Sequence, residues 1–330
     1  MTTTPPDSAA LTLASLSDVD RTILTEALRA PSAHNAQPWR FRRATADRTW
    51  ELHYDHTDYL PFDPQDRDAY LCMGALIETL SLAATRHGVT AEVRDVFSQS
   101  GSDLHVVDIT LIDGTRADED ERALAVAAAD RHTNRSTYKR GSLDPALAAT
   151  IGREGGALVE PAAIAATVAR ASALSWADRR FVADLRRFCT GDPTAPIGMH
   201  PKVLMLKRYE WLLLRAAFRL GRLPGVLGSL FAGRDVRLLR SAPAVVVVGA
   251  DSLDPRDLVA AGRRLVRIWV AVCAAGCAYH PISISVDRPE TAPDVARLSG
   301  IAVPAAVFRV GQPRRVAARS NRATLVDVLR

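Results

Sequence analysis

Arg29-Ala30-Pro31-Ser32-Ala33-His34-Asn35-Ala36-Gln37-Pro38-Trp39-Arg40-Phe41 is the stretch on which the reading of this chain turns. The run ahead of it, Asp18 to Leu28, carries Ile23, Leu24, Ala27 and Leu28 at helical spacing. Pro31 biases Ala30 away from the helical region, so the pattern predicts a helix that stops there. Short polar side chains then alternate with small ones. Pro38 and Trp39 close the loop and lead through Phe41 into a strand. Ser32, Asn35 and Gln37 present hydroxyl and amide groups suited to the edge of a flat heterocycle with alternating donors and acceptors. The same composition describes a rigid turn around a core tryptophan, and the residues alone leave both readings open.

Working outward, 330 residues suffice for two domains or one large fused core. No apolar run reaches the ~18 residues of a membrane helix, because arginines interrupt every candidate. Met1 to Asp18 has no basic region ahead of an apolar one, so it does not read as a secretory signal, and its Thr, Pro and Ser content predicts a disordered leader. Cys72, Cys189, Cys273 and Cys277 show no CxxC spacing and lie in apolar or helical contexts. Buried thiols in a reducing cytoplasm follow, with no disulfide framework, no zinc and no other metal site. The net charge of +5 comes mostly from arginine, scattered and paired with acids in most helices. No basic stripe with interleaved aromatics marks a nucleic-acid interface, so none is expected. A phosphate-bearing small molecule is the more economical partner for the unpaired clusters.

Along the chain, Trp50 to Tyr54 alternates as a strand, and Leu60-Pro61-Phe62-Asp63-Pro64 ends it. Arg67 to His87 is apolar almost all round, which predicts a helix buried on most sides and capped by Gly88. Ala91 to Phe97 and Leu104 to Ile112 are strand candidates around a Ser/Gly turn. Asp118 to Asp130 is an acid-started helix. It delivers the chain to Arg131-His132-Thr133-Asn134-Arg135-Ser136, where two arginines four apart, with Thr133 and Ser136 nearby, suit a phosphate dianion. Leu143 to Arg153 and Ala162 to Cys189 read as helices, and so do Val203 to Leu220, with Trp211 and Phe218, and Arg256 to Ala278. Ala242 to Ala250 and Pro304 to Val310 are valine-rich strands of the fully buried kind. No P-loop and no dinucleotide-binding glycine pattern is present.

The stretch Ala30 to Phe41 resembles the FMN-contacting loop of nitroreductase-like flavoproteins. From about Asp18 onward the pattern resembles the Acg-type branch, in which two nitroreductase halves are fused in one polypeptide. The resemblance implies an α+β, nitroreductase-like fold: an internal pseudo-dimer whose halves are mixed sheets flanked by helices, packed around 67–87 and 256–278. It divides the chain into a leader (1–17), a first half (18–125) and a second half (126–330) with a lid-like insertion at about 190–240. A wall of the substrate pocket, a contact between chains, or a membrane-surface helix are the three readings of that insertion.

In ordinary relatives an Arg-x-Ser-x-Arg element precedes the loop, and each site takes one motif from each of two subunits. Here the loop occurs once and the arginine element once, in opposite halves, so the resemblance implies a single FMN site per chain. Arg131, Thr133, Arg135 and Arg322 would hold the phosphate, with Arg319 and Arg29 near it. Thr133 stands where the family has serine. Arg319 and Arg322 are spaced one residue wider than the family's basic pair. Ser32, His34, Asn35 and Gln37 would meet the ring edge, and Pro281, Ser283 and Ile284 its N5 side, with isoleucine where glycine is usual. His34 and His280 are the candidates for proton transfer. The implied activity is two-electron redox between NAD(P)H or an organic donor and a small substrate of nitro, quinone, enone or imine type, in a monomer or homodimer. The alternative is an FMN-binding or FMN-sequestering protein with little turnover.

Overall fold

A computed structural model of the protein describes residues 13–56, 60, 62–63, 65–223 and 226–330. The expected leader falls largely on residues 1–12, which lie outside the described residues, as do Pro61, Pro64, Pro224 and Gly225 of the expected turns. Leu16 is buried against the main core. Ser17 accepts a hydrogen bond from Asp20 N and so caps α1 (Asp18–Ala27).

The first half continues through β1 (Trp39–Arg43), β2 (Thr49–Asp55), α2 (Arg67–Arg86), β3 (Val89–Ser100) and β4 (Asp103–Asp113). The chain then forms α3 (Glu119–Ala128) and α4 (Pro145–Arg153). In the second half the corresponding elements are β5 (Gly156–Val159), β6 (Ala244–Gly249), α9 (Pro255–Ala274), β7 (Ala278–Pro281) and β8 (Pro304–Gly311). The two sheets have the orders β1-β2-β4-β3 and β5-β6-β8-β7. Adding four to each strand number of the first gives the second, and in both halves the long helix joins the second strand to the third. The protein is thus an α+β internal pseudo-dimer.

Every ladder between named strands is antiparallel. The parallel character of the expected mixed sheets is confined to isolated bridges, of which Phe41–Leu329 brings the C-terminal segment, with its short helix Leu325–Val328, against β1. The exchange is reciprocal. Beyond β4 the chain crosses to the second sheet, where Tyr138 bridges Pro313 and Asn134 N donates to Tyr279 O at 3.0 Å. Beyond β8 it crosses back to the first. This double crossing brings the loop at 31–37 and the arginines at 131–135 to one place.

The apolar pattern of α2 is borne out. Leu76, Ile77, Leu80 and Leu82 are fully buried, and Gly88, at φ 73°, follows its last turn. Helix α2 packs against α9, and the ion pairs across them are concentrated on one buried acid. Glu78 accepts from Arg263 Nε and Arg267 Nη1, each at 2.9 Å, and Arg267 continues to Glu121 at 2.8 Å.

The largest departure from two-fold repetition lies between the first two strands of each half. In the first half residues 44–48 join β1 to β2, whereas in the second half residues 160–243 join β5 to β6. That insertion holds α5 (Pro161–Ala177), α6 (Arg179–Phe188), α7 (Arg208–Leu220) and α8 (Val226–Arg240). The single helix expected over 162–189 is two, because Asp178 takes an extended conformation (φ −85°, ψ 124°) and its carboxylate accepts from Arg180 N to start α6. Trp176, Phe181, Leu214, Leu223 and Phe231 form a satellite core of the insertion, and Ile284 packs against it. Residues 190–240 are therefore part of a larger helical unit. Among the described residues no helix is long and apolar enough to cross a membrane.

Candidate functional site

The turn after α1 is held in an unusual backbone. His34, Asn35 and Gln37 all have positive φ (52°, 60° and 53°), a region that costs a non-glycine residue about 1 kcal/mol or more. Local hydrogen bonds fix it: Gln37 N donates to Ser32 Oγ at 3.1 Å and Ala33 N to Cys72 Sγ at 3.2 Å. This conformation turns the Asn35 and Gln37 amides inward. Asn35 Nδ2 donates to Gly198 O (2.9 Å), Pro196 O (3.1 Å) and Asn321 O (3.2 Å). Gln37 Nε2 donates to Pro196 O at 2.8 Å, and Gln37 Oε1 accepts from Ala323 N at 3.0 Å. These amides hold the insertion and the C-terminal segment onto the loop. His34 stacks on Phe188 with ring centroids 5.9 Å apart, and burial lowers its pKa, so the ring is neutral near pH 7.

Beside the loop lies a cleft of about 780 Å³. Its walls include Arg29, Ser32, His34 and Asn35 from the loop, Arg131, Thr133 and Arg135 from the crossing segment, and Arg319 and Arg322 from the C-terminal segment. Nine of the site residues expected from sequence thus share one cleft although they come from three separate stretches. Arg131 is buried, with Nη2 donating to Arg29 O at 2.6 Å and Nη1 to the Tyr279 hydroxyl. Arg322 donates to Asn321 O at 3.0 Å, and its Nε is buried with no hydrogen-bond partner among the described residues. Arg135 donates to Val203 O at 3.2 Å.

Among the described residues none of Arg29, Arg131, Arg135 and Arg322 forms a salt bridge with a carboxylate; Arg319 alone of the five pairs with one, Asp130 at 3.0 Å. The electrostatic result is a set of mutually repelling cations. Burial and then Arg131 push the Arg322 pKa down to about 9. Burial and then Arg234 push that of Arg135 down to about 10. That of Arg29 is lowered by burial and then by Arg319 and Arg131. Glu26 also lines the cleft without pairing with any of the five, and guanidinium groups gathered with so few ion-pair partners form a receptor for a multiply charged oxyanion.

Pro281, Ser283, Ile284 and His280 do not line this cleft. Pro281 ends β7, and Ser283 Oγ accepts from Val307 N at 3.2 Å, tying the corner to β8. His280 is buried, accepts from Arg309 Nε at 3.1 Å, and has its pKa lowered well below the ordinary value by burial and then by Arg309. The histidine is neutral and engaged in the core. Gln37 likewise lies beneath the cleft. The corner reaches the site instead through Tyr279, stacked on Trp269 and in contact with Arg131 and Thr133. Tyr279, Met199, Val203, Ser320 and Asn321 were not singled out from sequence. Tyr279 and Asn321 adjoin motifs that were, but a buried tyrosine and a backbone carbonyl carry no local signal of their role.

No family model matches the chain. In sequence it is similar to two proteins of Mycobacterium tuberculosis H37Rv. With "Putative NAD(P)H nitroreductase acg" it shares 33% identity over 122 residues, 37% of this chain and 36% of that protein, so the match spans about a third of that relative's length. With "Putative NAD(P)H nitroreductase Rv3131" it shares 26% identity over 301 residues, 82% of this chain and 78% of that protein. Two solved structures share weaker likeness. One is the FMN-dependent nitroreductase NfnB of Mycobacterium smegmatis in complex with NADPH (18% identity, 64% of this chain and 99% of that chain, TM-score 0.38). The other is a nitroreductase-named protein of Anabaena variabilis (10% identity, 90% and 74% coverage, TM-score 0.43).

Proposed function

We propose that this chain is a nitroreductase-like protein and works as an FMN-dependent oxidoreductase moving two electrons between NAD(P)H, or an organic donor, and a small organic substrate. The observation that carries the proposal is that Arg29, Arg131, Arg135 and Arg322 line a cleft shared with the 31–37 loop and, among the described residues, none of them forms a salt bridge, although Glu26 also lines the cleft. A phosphate dianion there relieves the repulsion among them, and the unpartnered Nε of Arg322 supplies a ready donor. These residues fit the phosphate end of FMN. Arg131 would be oriented by the Tyr279 hydroxyl and Thr133 would add a hydroxyl.

Bound FMN supplies hydride-transfer chemistry, and the protein supplies binding, orientation and access. Ser32 and His34 line the cleft from the loop, and His34, neutral, can accept a proton. Asn35 and Gln37 are already engaged by Pro196 and Gly198. They act as a clasp between loop and insertion, and would meet a ring edge only if residues 196–198 withdraw. The substrate is of nitro, quinone, enone or imine type.

The clasp favours a second reading, in which the same site binds FMN and the insertion keeps donors out. One experiment tests both. The purified chain is incubated with FMN, freed of excess by gel filtration and mixed anaerobically with NADPH. Retained flavin that bleaches supports the oxidoreductase. Retained flavin that stays yellow supports sequestration. A chain that retains no flavin ends both readings.

A further inference from the structure

Away from the arginine-lined cleft, the outer face of the first sheet assembles an unusual set of side chains. Residues two apart on a strand share a face, so Glu51 and His53 of β2 both point outward. The β2–β4 register sets Glu51 opposite Asp108, His53 opposite His105 and Asp55 opposite Asp103, with a shift of register between Leu52 and His53. Two of these three cross-strand pairs are acid against acid, an arrangement that destabilises a sheet unless a cation intervenes. Arg42, Arg94 and Arg330 neutralise Asp103, Asp108 and Asp55 from the periphery. Among the described residues Glu51 is paired with a histidine, its Oε2 3.1 Å from His53 Nε2.

We propose that Glu51, His53 and His105 form a binding site for a divalent transition-metal ion of the zinc class. One ligand atom of each lies within 4.8 Å of the others. The Glu51–His53 separation of 3.1 Å is close to the ~3.3 Å edge of a tetrahedron whose corners sit about 2.0 Å from a metal. The donor set, two imidazoles and a carboxylate, suits zinc and its neighbours. One outer carboxylate already orients an imidazole, His105 Nε2 being hydrogen-bonded to Asp108 Oδ1 at 2.8 Å, and Asp103 Oδ2 lies at ion-pair distance, 3.0 Å, from His53 Nδ1.

The second, independent observation is unsatisfied polarity. His53 is 3% exposed, and its Nδ1 sits at ion-pair distance from Asp103 without hydrogen-bond geometry. Asp103 Oδ1 is buried without any hydrogen-bond partner among the described residues. The two rings stack face to face, centroids 4.6 Å apart and 15° from parallel, which sets both imidazoles side by side on the same face of the sheet. A hollow of about 550 Å³ opens over the group, lined by Glu51, His105 and Asp108 and by Thr49 and Thr110. With three protein ligands the fourth position faces this hollow and takes water or a small anion. The hollow shares no lining residue with the arginine cleft, so the site is distinct from the flavin site.

The test uses the full chain, free of any affinity tag and stripped of metal by chelation. Titration with zinc alone by calorimetry is expected to give saturable binding of one ion per chain. His105→Gln, at the more exposed of the two histidines, is expected to weaken it at least ~10-fold with the thermal midpoint unchanged, and Asp103→Asn to weaken it about 10-fold. Zinc-edge X-ray absorption of the loaded wild type is expected to show nitrogen and oxygen donors with imidazole scattering, and it decides the matter even if a histidine variant fails to fold. Absence of saturable uptake, uptake unaltered in a folded His105→Gln protein, or sulfur donors at the edge each overturns the proposal.

Discussion

Gly74 and Gly262 stand at equivalent positions of the two central helices, seven residues after Arg67 and after Pro255, and each faces a backbone carbonyl of the other's helix. A Cβ on Gly74 would lie 1.9 Å from Val259 O, and one on Gly262 would lie 2.2 Å from Leu71 O. Backbone cannot move aside as a side-chain end can, so the helices meet there only because both residues lack a side chain. The pseudo-two-fold axis of the molecule runs through this contact.

Gly74→Ala and Gly262→Ala are each expected to push α2 and α9 apart and to lower stability by about 2–3 kcal/mol, an overpacking cost. Chemical denaturation read by tryptophan fluorescence checks this. Gly152→Ala, in α4 with open space around it, serves as the control, and is expected to be neutral or slightly stabilising. Equal midpoints for all three variants would remove the close crossing.

Replacing Glu78 by alanine leaves Arg263 and Arg267 facing a buried gap. The expected loss is about 2 kcal/mol, held below the full buried-pair value because both guanidinium groups reach solvent. Glu78→Gln is expected to lose less, since it keeps one acceptor. Thermal unfolding at low and moderate salt distinguishes this from a surface pair: the buried acid responds little to screening.

At the cleft, Arg131→Ala combined with Arg322→Ala is expected to strip FMN during gel filtration, while Arg319→Ala, whose side chain is paired with Asp130, costs about 10-fold or less in affinity. The flavin-to-protein absorbance ratio after the column is the measurement. Full retention in the double variant would remove the phosphate assignment.

Asn35→Ala removes three donated hydrogen bonds to the insertion and the C-terminal segment. Local protection of the amides of residues 197–199 in hydrogen exchange is expected to fall by about 2 kcal/mol or less. If the clasp limits access, flavin reduction by NADPH becomes faster in this variant. An unchanged exchange rate would show that the segment is held by other contacts.

Asp184 predicts a pH dependence. Burial raises its pKa to about 6, against the ordinary value of 3.8, despite the hydrogen bond it accepts from Phe62 N at 2.8 Å. Because the folded-state value is the higher one, the folded chain holds the proton more tightly between about 4 and 6. The stabilising contribution is complete below about 4 and is lost as pH rises through about 6. Asp184→Asn keeps the acceptor without the charge, so it is expected to be more stable than wild type at pH 7 by about 1–3 kcal/mol and to lose that advantage by pH 4. Denaturation midpoints across this range decide the sign.

Much of the architecture was legible in local pattern. The all-round apolar run at 67–87, the valine strand at 242–250 and the cap residues Asp118 and Gly88 mark their elements because burial and capping act over a few residues. The pairing of the 31–37 loop with Arg131 was legible from each motif occurring once in opposite halves. The break at Asp178 within an otherwise helical run was not. Neither was the start of the insertion at residue 160, which only the repeated strand order identifies.

The sequence by itself determined the two long central helices, the valine-rich strands and the stretches where arginines cluster, because periodicity, caps and charge are local properties. The tertiary structure decided how those stretches are used. It turned Asn35 and Gln37 from a ring edge to the backbone of residues 196–198, buried His280 beside Arg309, and set Glu51, His53 and His105 side by side on an outer sheet face. The reason is that a polar side chain's role is fixed by the partner that satisfies it. These partners lie tens to hundreds of residues away, where only the crossing of the two halves and the register of the sheets bring them within bonding distance.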